Sequence, residues 1–430
     1  MRKIITTHAF VFFLIVAFAQ SYDTIQTQPI IIANATIHIG DGTVIENGII
    51  GFEKGVILFV GDARTVKYNP EGFEVIYAAG KHIYPGLIAP NTTLGLNELE
   101  AVRATNDMQE VGKFNPNVRS IVAYNTDSRV IPTLRTNGIL FAQIVPIGGI
   151  ISGTSSIVET DGWNWEDAAY TMDNGIQLNW PSVNTYKWKN GYQVIENPEY
   201  TNTVSEIENY FLQALAYSKD ETHTPVNLRF EAMRGVFYGE KKLFIHANGA
   251  KEIIHAIHFA ETFHITPVLV GGNEANLVLT LLKEKNIPVI LERVHALPSR
   301  NDYDIDMAYK LPFILQQAGI LCGLSVSNGS EGFWNQRNLP FEAGTAVANG
   351  LTKEEALQCI TLNNAKILGI DSTAGSLEKG KDATLLICEG DILDMRTNKI
   401  STAFIRGRKV ATENWQNALY EKYSKKYNLK

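Results

Sequence analysis

The chain has 430 residues, 45% of them hydrophobic and 19% charged, with a formal net charge of −7 at pH 7. That apolar content suits a large core with a smaller attached domain and excludes a disordered or fibrous chain. The acidic balance, with no basic run, gives no support for binding to nucleic acid or to an anionic membrane surface.

Residues 1–19 read as a secretory signal. Arg2 and Lys3 carry positive charge, an apolar stretch covers 9–16, and Ala17-Phe18-Ala19 supplies a small-x-small cleavage site. The stretch is shorter than the roughly 18 to 20 residues that a membrane span needs. Cleavage and export are therefore expected, to a periplasm or to the outside of the cell, with no membrane contact afterwards. Loss of Arg2 and Lys3 would leave the mature chain two charges more negative.

Residues 28–79 alternate short β-rich runs with turns. Residues 30–39 are followed by Gly40-Asp41-Gly42, then 48–52, the turn Glu53-Lys54-Gly55, and 56–60. A matching set lies in 370–412, where 383–388 and 401–405 flank Gly390-Asp391. The two ends are predicted to pair into one small β-sandwich around a central domain at 80–369.

That central domain repeats a strand followed by a helix, as a parallel barrel requires. The pattern predicts strands at 242–247, 267–271, 288–292 and 320–327. Helices are predicted at 251–261 and 274–285, and a long loop precedes residue 315. These read as strands five to eight of a (β/α)8 TIM-like barrel, so the fold class is α/β with an added β-sandwich. Residues 163–180, with Trp163, Trp165 and Trp180 among acids and amides, read as an elaborated loop. Residues 413–430 read as a C-terminal helix on the surface. Cys322, Cys359 and Cys388 sit among apolar neighbours without metal-knuckle spacing, and are expected to be buried free thiols.

Several segments carry a family likeness: Asn-Leu-Pro-Phe-Glu at 338–342, Gly-Leu-Thr-Lys-Glu-Glu-Ala-Leu at 350–357, Gly-Ser-Leu-Glu-Lys-Gly-Lys-Asp-Ala at 375–383, Pro-Gly-Leu-Ile at 85–88 and the Gly-rich 148–154. On these the chain resembles exported members of the amidohydrolase superfamily, nearest the imidazolonepropionase-like branch. The resemblance implies one or two divalent metals at the C-terminal mouth of the barrel and hydrolysis of non-peptide C–N bonds. A metal held by imidazoles and a carboxylate would lower the pKa of bound water and polarise the scissile carbonyl.

The implied ligand set is broken in this chain. The first-strand His-x-His positions fall on Asn91 and Thr93, neither a competent zinc ligand. His246 matches the strand-five ligand, and is the one residue carried over as a metal ligand and as a catalytic residue. Strand six, near 269–272, has no histidine, and His264 lies in the turn before it. The strand-eight acid should fall in 324–328, where Ser325, Ser327 and Asn328 stand instead, with Glu331 the nearest carboxylate. No bridging lysine can be placed on strand four.

Glu292 and His295 follow strand seven on the face where chemistry belongs. The candidate catalytic set is therefore His246, Glu292, His295 and Glu331. Asn91, Thr93, Ser325, Ser327 and Asn328 are candidates for contact with substrate. Each has an ordinary reading beside it: a lone strand histidine is often just hydrogen-bonded, and a charged loop pair is often a solvated contact. His255 and His258 belong to a helix on the outer wall. Glu98, Glu100 and Arg103 either line the mouth or cap a local helix.

Two functions stay open. One is a hydrolase acting on a small molecule with one weakly held zinc, manganese or iron ion, or with no metal. The other is a catalytically silent barrel that binds a small molecule or a partner protein through its old mouth. A serine hydrolase using Ser325 or Ser327 with His295 lacks a nucleophile-elbow motif. A homo-oligomer is compatible with either function.

Overall fold

The structure is a computed structural model and is described here over residues 26–188, 191–298, 302–326 and 332–429. The expected signal at 1–19, and the candidates Ser327, Asn328 and Glu331, lie outside the described residues. No helix among the described residues is long and apolar enough to cross a membrane.

In chain order the first strands are β1 (Ile30–His38), β2 (Val44–Glu53), β3 (Val56–Asp62), β4 (Glu74–Tyr77) and β5 (His82–Pro85). The barrel opens with β6 (Leu87–Thr92), α1 (Val130–Arg135), β7 (Ile139–Ile144), β8 (Ile151–Glu159), α2 (Trp165–Ala168) and β9 (Ala169–Asn179). A hairpin, β10 (Asn184–Trp188) and β11 (Tyr192–Glu196), leads to α3 (Tyr200–Ser218) and α4 (Leu228–Phe237). Then come β12 (Lys242–Ala247), α5 (Ala250–Thr262), β13 (Val268–Gly271), α6 (Leu279–Glu284), β14 (Val289–Glu292), α7 (Met307–Gln317) and β15 (Cys322–Ser325). The chain continues through α8 (Gly332–Asn335), α9 (Leu339–Ala348), α10 (Lys353–Cys359) and α11 (Leu362–Leu368). It ends with β16 (Leu385–Cys388), β17 (Ile400–Ile405), β18 (Arg408–Val410) and α12 (Trp415–Tyr427).

The two chain ends share one eight-stranded sheet, ordered β18-β17-β16-β5-β1-β2-β3 with β4 beside β1. Phe52 on β2 and Phe404 on β17 stand four strands apart in that order, yet their rings lie 5.3 Å apart edge to face. The sheet therefore curls until its halves face each other across a core that includes Ile32, Ile37, Ile83 and Leu385. This is the expected sandwich, built by curling one sheet.

The barrel sheet runs β6-β7-β8-β9-β12-β13-β14-β15. Its ends are braced together: Asn364 Nδ2 donates to Ile88 O of β6 at 2.9 Å and to Leu324 O of β15 at 3.0 Å. Gly323 makes room for that brace, because a Cβ there would stand 2.0 Å from Asn364 Oδ1. Strands five to eight, β12 to β15, are parallel as expected.

The first half departs from a strict strand-helix repeat. β8 pairs antiparallel with both β7 and β9, so short turns replace crossover helices there. The stretch read as a loop contains α2 and β9, the fourth barrel strand. Its inward residues include Gln177, and a strand polar on its inner face lacks the alternation that marks a strand in sequence. All three cysteines are buried and free.

Candidate functional site

Alternation along the barrel strands stacks two layers of inward side chains. The lower one is apolar: Ile88, Phe141, Ile157, Phe244, Val268 and Ile290 form a buried cluster with Ala365 and Ile367 of α11. One alternation nearer the C-terminal mouth, β7, β12 and β14 present Gln143, His246 and Glu292, and antiparallel β8 presents Ser155. On β6 the register shifts between Ala89 and Thr92, and Asn91 adopts a left-handed φ of 53°. Asparagine tolerates that conformation better than most residues.

Apart from Glu292, the upper layer is a chain of neutral hydrogen-bonding groups. Asn91 N donates to Gln143 Oε1 at 3.2 Å, and Gln143 Nε2 donates to Ser155 Oγ at 3.2 Å. Gln177 Nε2 donates to the same Oγ at 2.9 Å, and Ser155 passes its proton to Asn174 Oδ1 at 2.9 Å. With its amide nitrogen so used, Gln177 presents Oε1 to His246 Nε2 at 2.9 Å, which places the ring proton on Nε2. Burial pushes the His246 pKa down to about 4, so the ring is neutral at pH 7. Gln143, Ser155 and Gln177 went unnoticed in the sequence. Only Gln143 carried a signal, as the one polar side chain in the apolar run Ile139–Ile144; β8 and β9 are polar along much of their length.

At the mouth Asn91 Nδ2 donates to Glu292 Oε1 at 2.5 Å. Asn91 and Thr93 are 1% and 0% exposed, and neither Asn91 Oδ1 nor Thr93 Oγ1 has a hydrogen-bond partner among the described residues. Ser325 Oγ donates to Pro90 O at 2.7 Å and accepts from Gln336 Nε2 at 3.3 Å, so it ties β15 to β6.

His295 turns toward α9 instead. Glu342 accepts from His295 N at 2.7 Å and stands 3.2 Å from its Nδ1, while Nε2 meets Thr345 Oγ1. The hydrogen bond to Glu342 raises the His295 pKa. The structure thus connects Asn91 with Glu292 directly, and with His246 through the amide chain, while His295 is engaged on a helix.

Two further histidines have local partners. His255 Nδ1 meets Tyr200 OH at 2.7 Å, and His258 Nδ1 meets Glu261 at 2.9 Å. His264 occupies the turn after α5 with φ of 58°, at the opening of strand six and away from the mouth. Glu98 accepts from Ser128 Oγ at 3.0 Å and Asn125 Nδ2 at 3.1 Å, and burial raises its pKa.

The described residues do not fit a divalent metal. No three His, Cys, Asp or Glu side chains among them converge. The groups aligned along the barrel axis are amides and hydroxyls, and His246 directs its protonated nitrogen at Gln177. What the arrangement can do is present a polar, shaped surface to a ligand.

Two cavities lie along the C-terminal ends of the strands. A cleft of about 500 Å³ separates the β10–β11 hairpin, at Tyr186 and Val194, from the start of α5 and from Asn273 and Glu274. A cavity of about 40 Å³ lies beside Glu292, and Asn273 lines it too. Glu252 and Glu274 are spent on the backbone at the start of α5: Glu252 accepts from Gly249 N at 3.0 Å and Glu274 from Ala250 N at 2.8 Å.

Comparison with known proteins agrees with this architecture. Residues 216–411 match the model of the amidohydrolase family. The imidazolonepropionase of Bacillus cereus is 51% identical over 51 residues, a segment spanning 12% of each chain. Among solved structures, an amidohydrolase from Thermotoga maritima superposes with a TM-score of 0.78 at 23% identity, covering 89% of this chain and 99% of its own. A putative prolidase from Bifidobacterium longum superposes at 0.55 with 17% identity, covering 93% of this chain and 100% of its own. Residues 216–411 thus resemble the amidohydrolase family, and the likeness to the solved amidohydrolase structure shows that the chain shares its fold, an eight-stranded barrel with an appended sheet.

Proposed function

We propose that this chain is a ligand-binding amidohydrolase barrel that holds a small polar molecule at its mouth without a catalytic metal. One observation carries the reading: apart from Glu292 beside Asn91, the upper layer of the barrel interior is a connected set of neutral groups, from Asn91 through Gln143, Ser155 and Gln177 to His246. A network of this kind satisfies itself and positions a binding surface. It offers no carboxylate to move a proton at the strand-eight position, where Ser325 is committed to Pro90 O.

The test is elemental mass spectrometry of the purified protein before and after chelation, with an amide and ester panel run on both samples. The proposal expects no stoichiometric zinc, manganese or iron and no chelator-sensitive turnover. About one tightly held ion per chain, with turnover that chelation removes, would sink it.

A second reading is hydrolysis of a non-peptide C–N bond. Its support is the family match over 216–411 together with His246, which stands on the fifth strand where the family likeness puts a ligand. In that reading one weakly held divalent ion would supply the activated water. His246→Ala would then abolish turnover while the protein still folds, and unchanged turnover would remove His246 from the chemistry.

A further inference from the structure

We propose that His38, His82 and Glu354 form an acid-released latch that fastens helix α10 of the barrel to the appended sheet. The latch lies at the junction of barrel and sheet and is independent of what the mouth binds. β1 and β5 run parallel, and bring His38 at the end of β1 beside His82 and Tyr84 of β5. Glu354 of α10 closes the line: His38 Nδ1 meets Glu354 Oε1 at 2.7 Å, and His38 Nε2 meets His82 Nδ1 at 3.0 Å. Tyr84 stacks on the His38 ring with centroids 4.3 Å apart. The other carboxylate oxygen, Oε2, is buried without a hydrogen-bond partner among the described residues, so Glu354 is held to the sheet through His38.

The number of protons on that line sets its response to acid. A carboxylate only accepts, so His38 Nδ1 carries a proton. Between the two rings there is room for one more, on His38 Nε2 or on His82 Nδ1. A neutral pair meets this condition. A pair with one added proton meets it too, because the outer nitrogen of His82, Nε2, can hold either a proton or a lone pair. A second added proton puts N–H groups on both facing nitrogens, and the 3.0 Å contact turns repulsive. Glu354 and Lys353 of α10 and Asp391 beyond β16 are the charged side chains acting on His82 besides His38, and Lys353 pairs with Asp391 at 2.7 Å. Their two negative charges and one positive charge offset one imidazolium but not two. Tyr84 and Cys388 of β16, the other titratable groups beside the pair, stay protonated because burial raises both. Burial, and after it the charge of His38, lowers the His82 pKa, which places release below pH 6.5. Release frees Glu354 near the start of α10, while Ile360 O just past its end still accepts from Ile88 N of β6 at 2.9 Å.

The experiment follows hydrogen exchange of the α10 amides in the whole chain between pH 7.5 and 5, corrected for the intrinsic pH dependence of exchange. Where opening takes up one proton, the opening constant of α10 should rise about tenfold per pH unit as pH falls. His82→Gln keeps a donor toward His38 and cannot titrate, so its α10 protection should lack that slope. His246 is present in both proteins, so its own acid response cancels in the comparison. Glu354→Gln keeps an acceptor for His38 but removes the charge. It should move release upward by about one pH unit, and it stands in if His82→Gln fails to fold. Equal pH dependence in wild type and His82→Gln, or an unmoved release in Glu354→Gln, would overturn the proposal.

Discussion

His246 should make the fold sensitive to acid between about pH 6.5 and 4. In the unfolded chain its imidazole takes a proton near its ordinary value of 6.5, whereas burial holds it to about 4 in the native barrel. The folded pKa is depressed, so the unfolded state binds the extra proton first. Stability is therefore complete above pH 6.5 and declines as pH falls toward 4. At about 1.4 kcal/mol per pKa unit, the loss is about 2 kcal/mol at pH 5 and approaches about 3 kcal/mol near pH 4. Gln177 Oε1 accepts from the neutral ring at 2.9 Å, so His246→Gln keeps a donor in place while removing the titration. Urea unfolding between pH 7.5 and 5 should show wild type losing about 2 kcal/mol more than the variant. Parallel curves for the two proteins, or an imidazole that titrates near 6.5 by NMR, would refute the argument.

Other substitutions probe the frame around the mouth. Gly323→Ala pushes a Cβ to within 2.0 Å of Asn364 Oδ1 and should cost about 2–3 kcal/mol by loosening the brace between β6 and β15, read by denaturant midpoint. At the opposite end of the barrel, Arg135 and Asp161 form a buried pair at 2.8 Å, and Arg408 approaches Asp161 at 3.1 Å from β18. Asp161→Asn leaves buried guanidinium charge under-compensated and should cost about 3 kcal/mol in urea unfolding, with a small effect showing that water screens the pair. His295 has a raised pKa from Glu342, so its contribution is present below pH 6.5 and lost as pH rises through the folded value. Glu342→Gln should flatten the fall in thermal midpoint between pH 6 and 8.5, and an unchanged slope would show that the pair does not act in solution.

Much of the frame was legible in the residues alone. The strands at both chain ends, barrel strands five to eight and the buried thiols follow from alternation, turn residues and apolar context, all local properties. The absence of ligand chemistry at Asn91, Thr93 and Ser325 was also readable, because it concerns which atoms a side chain owns. Folding decided the rest. β9 gave no strand signal, since its inner face carries Gln177, and a polar residue looks exposed until the barrel closes around it. The reversed direction of β8 brings Ser155 level with Gln143 and Gln177, although 12 and 22 residues separate it from them. Whether Glu292 and His295 share a site depended on one side chain turning toward Glu342 on α9, 47 residues away. Residue type states which hydrogen bonds a group can make. Which partner stands within 3 Å is set by long-range strand pairing and packing, which no local pattern encodes.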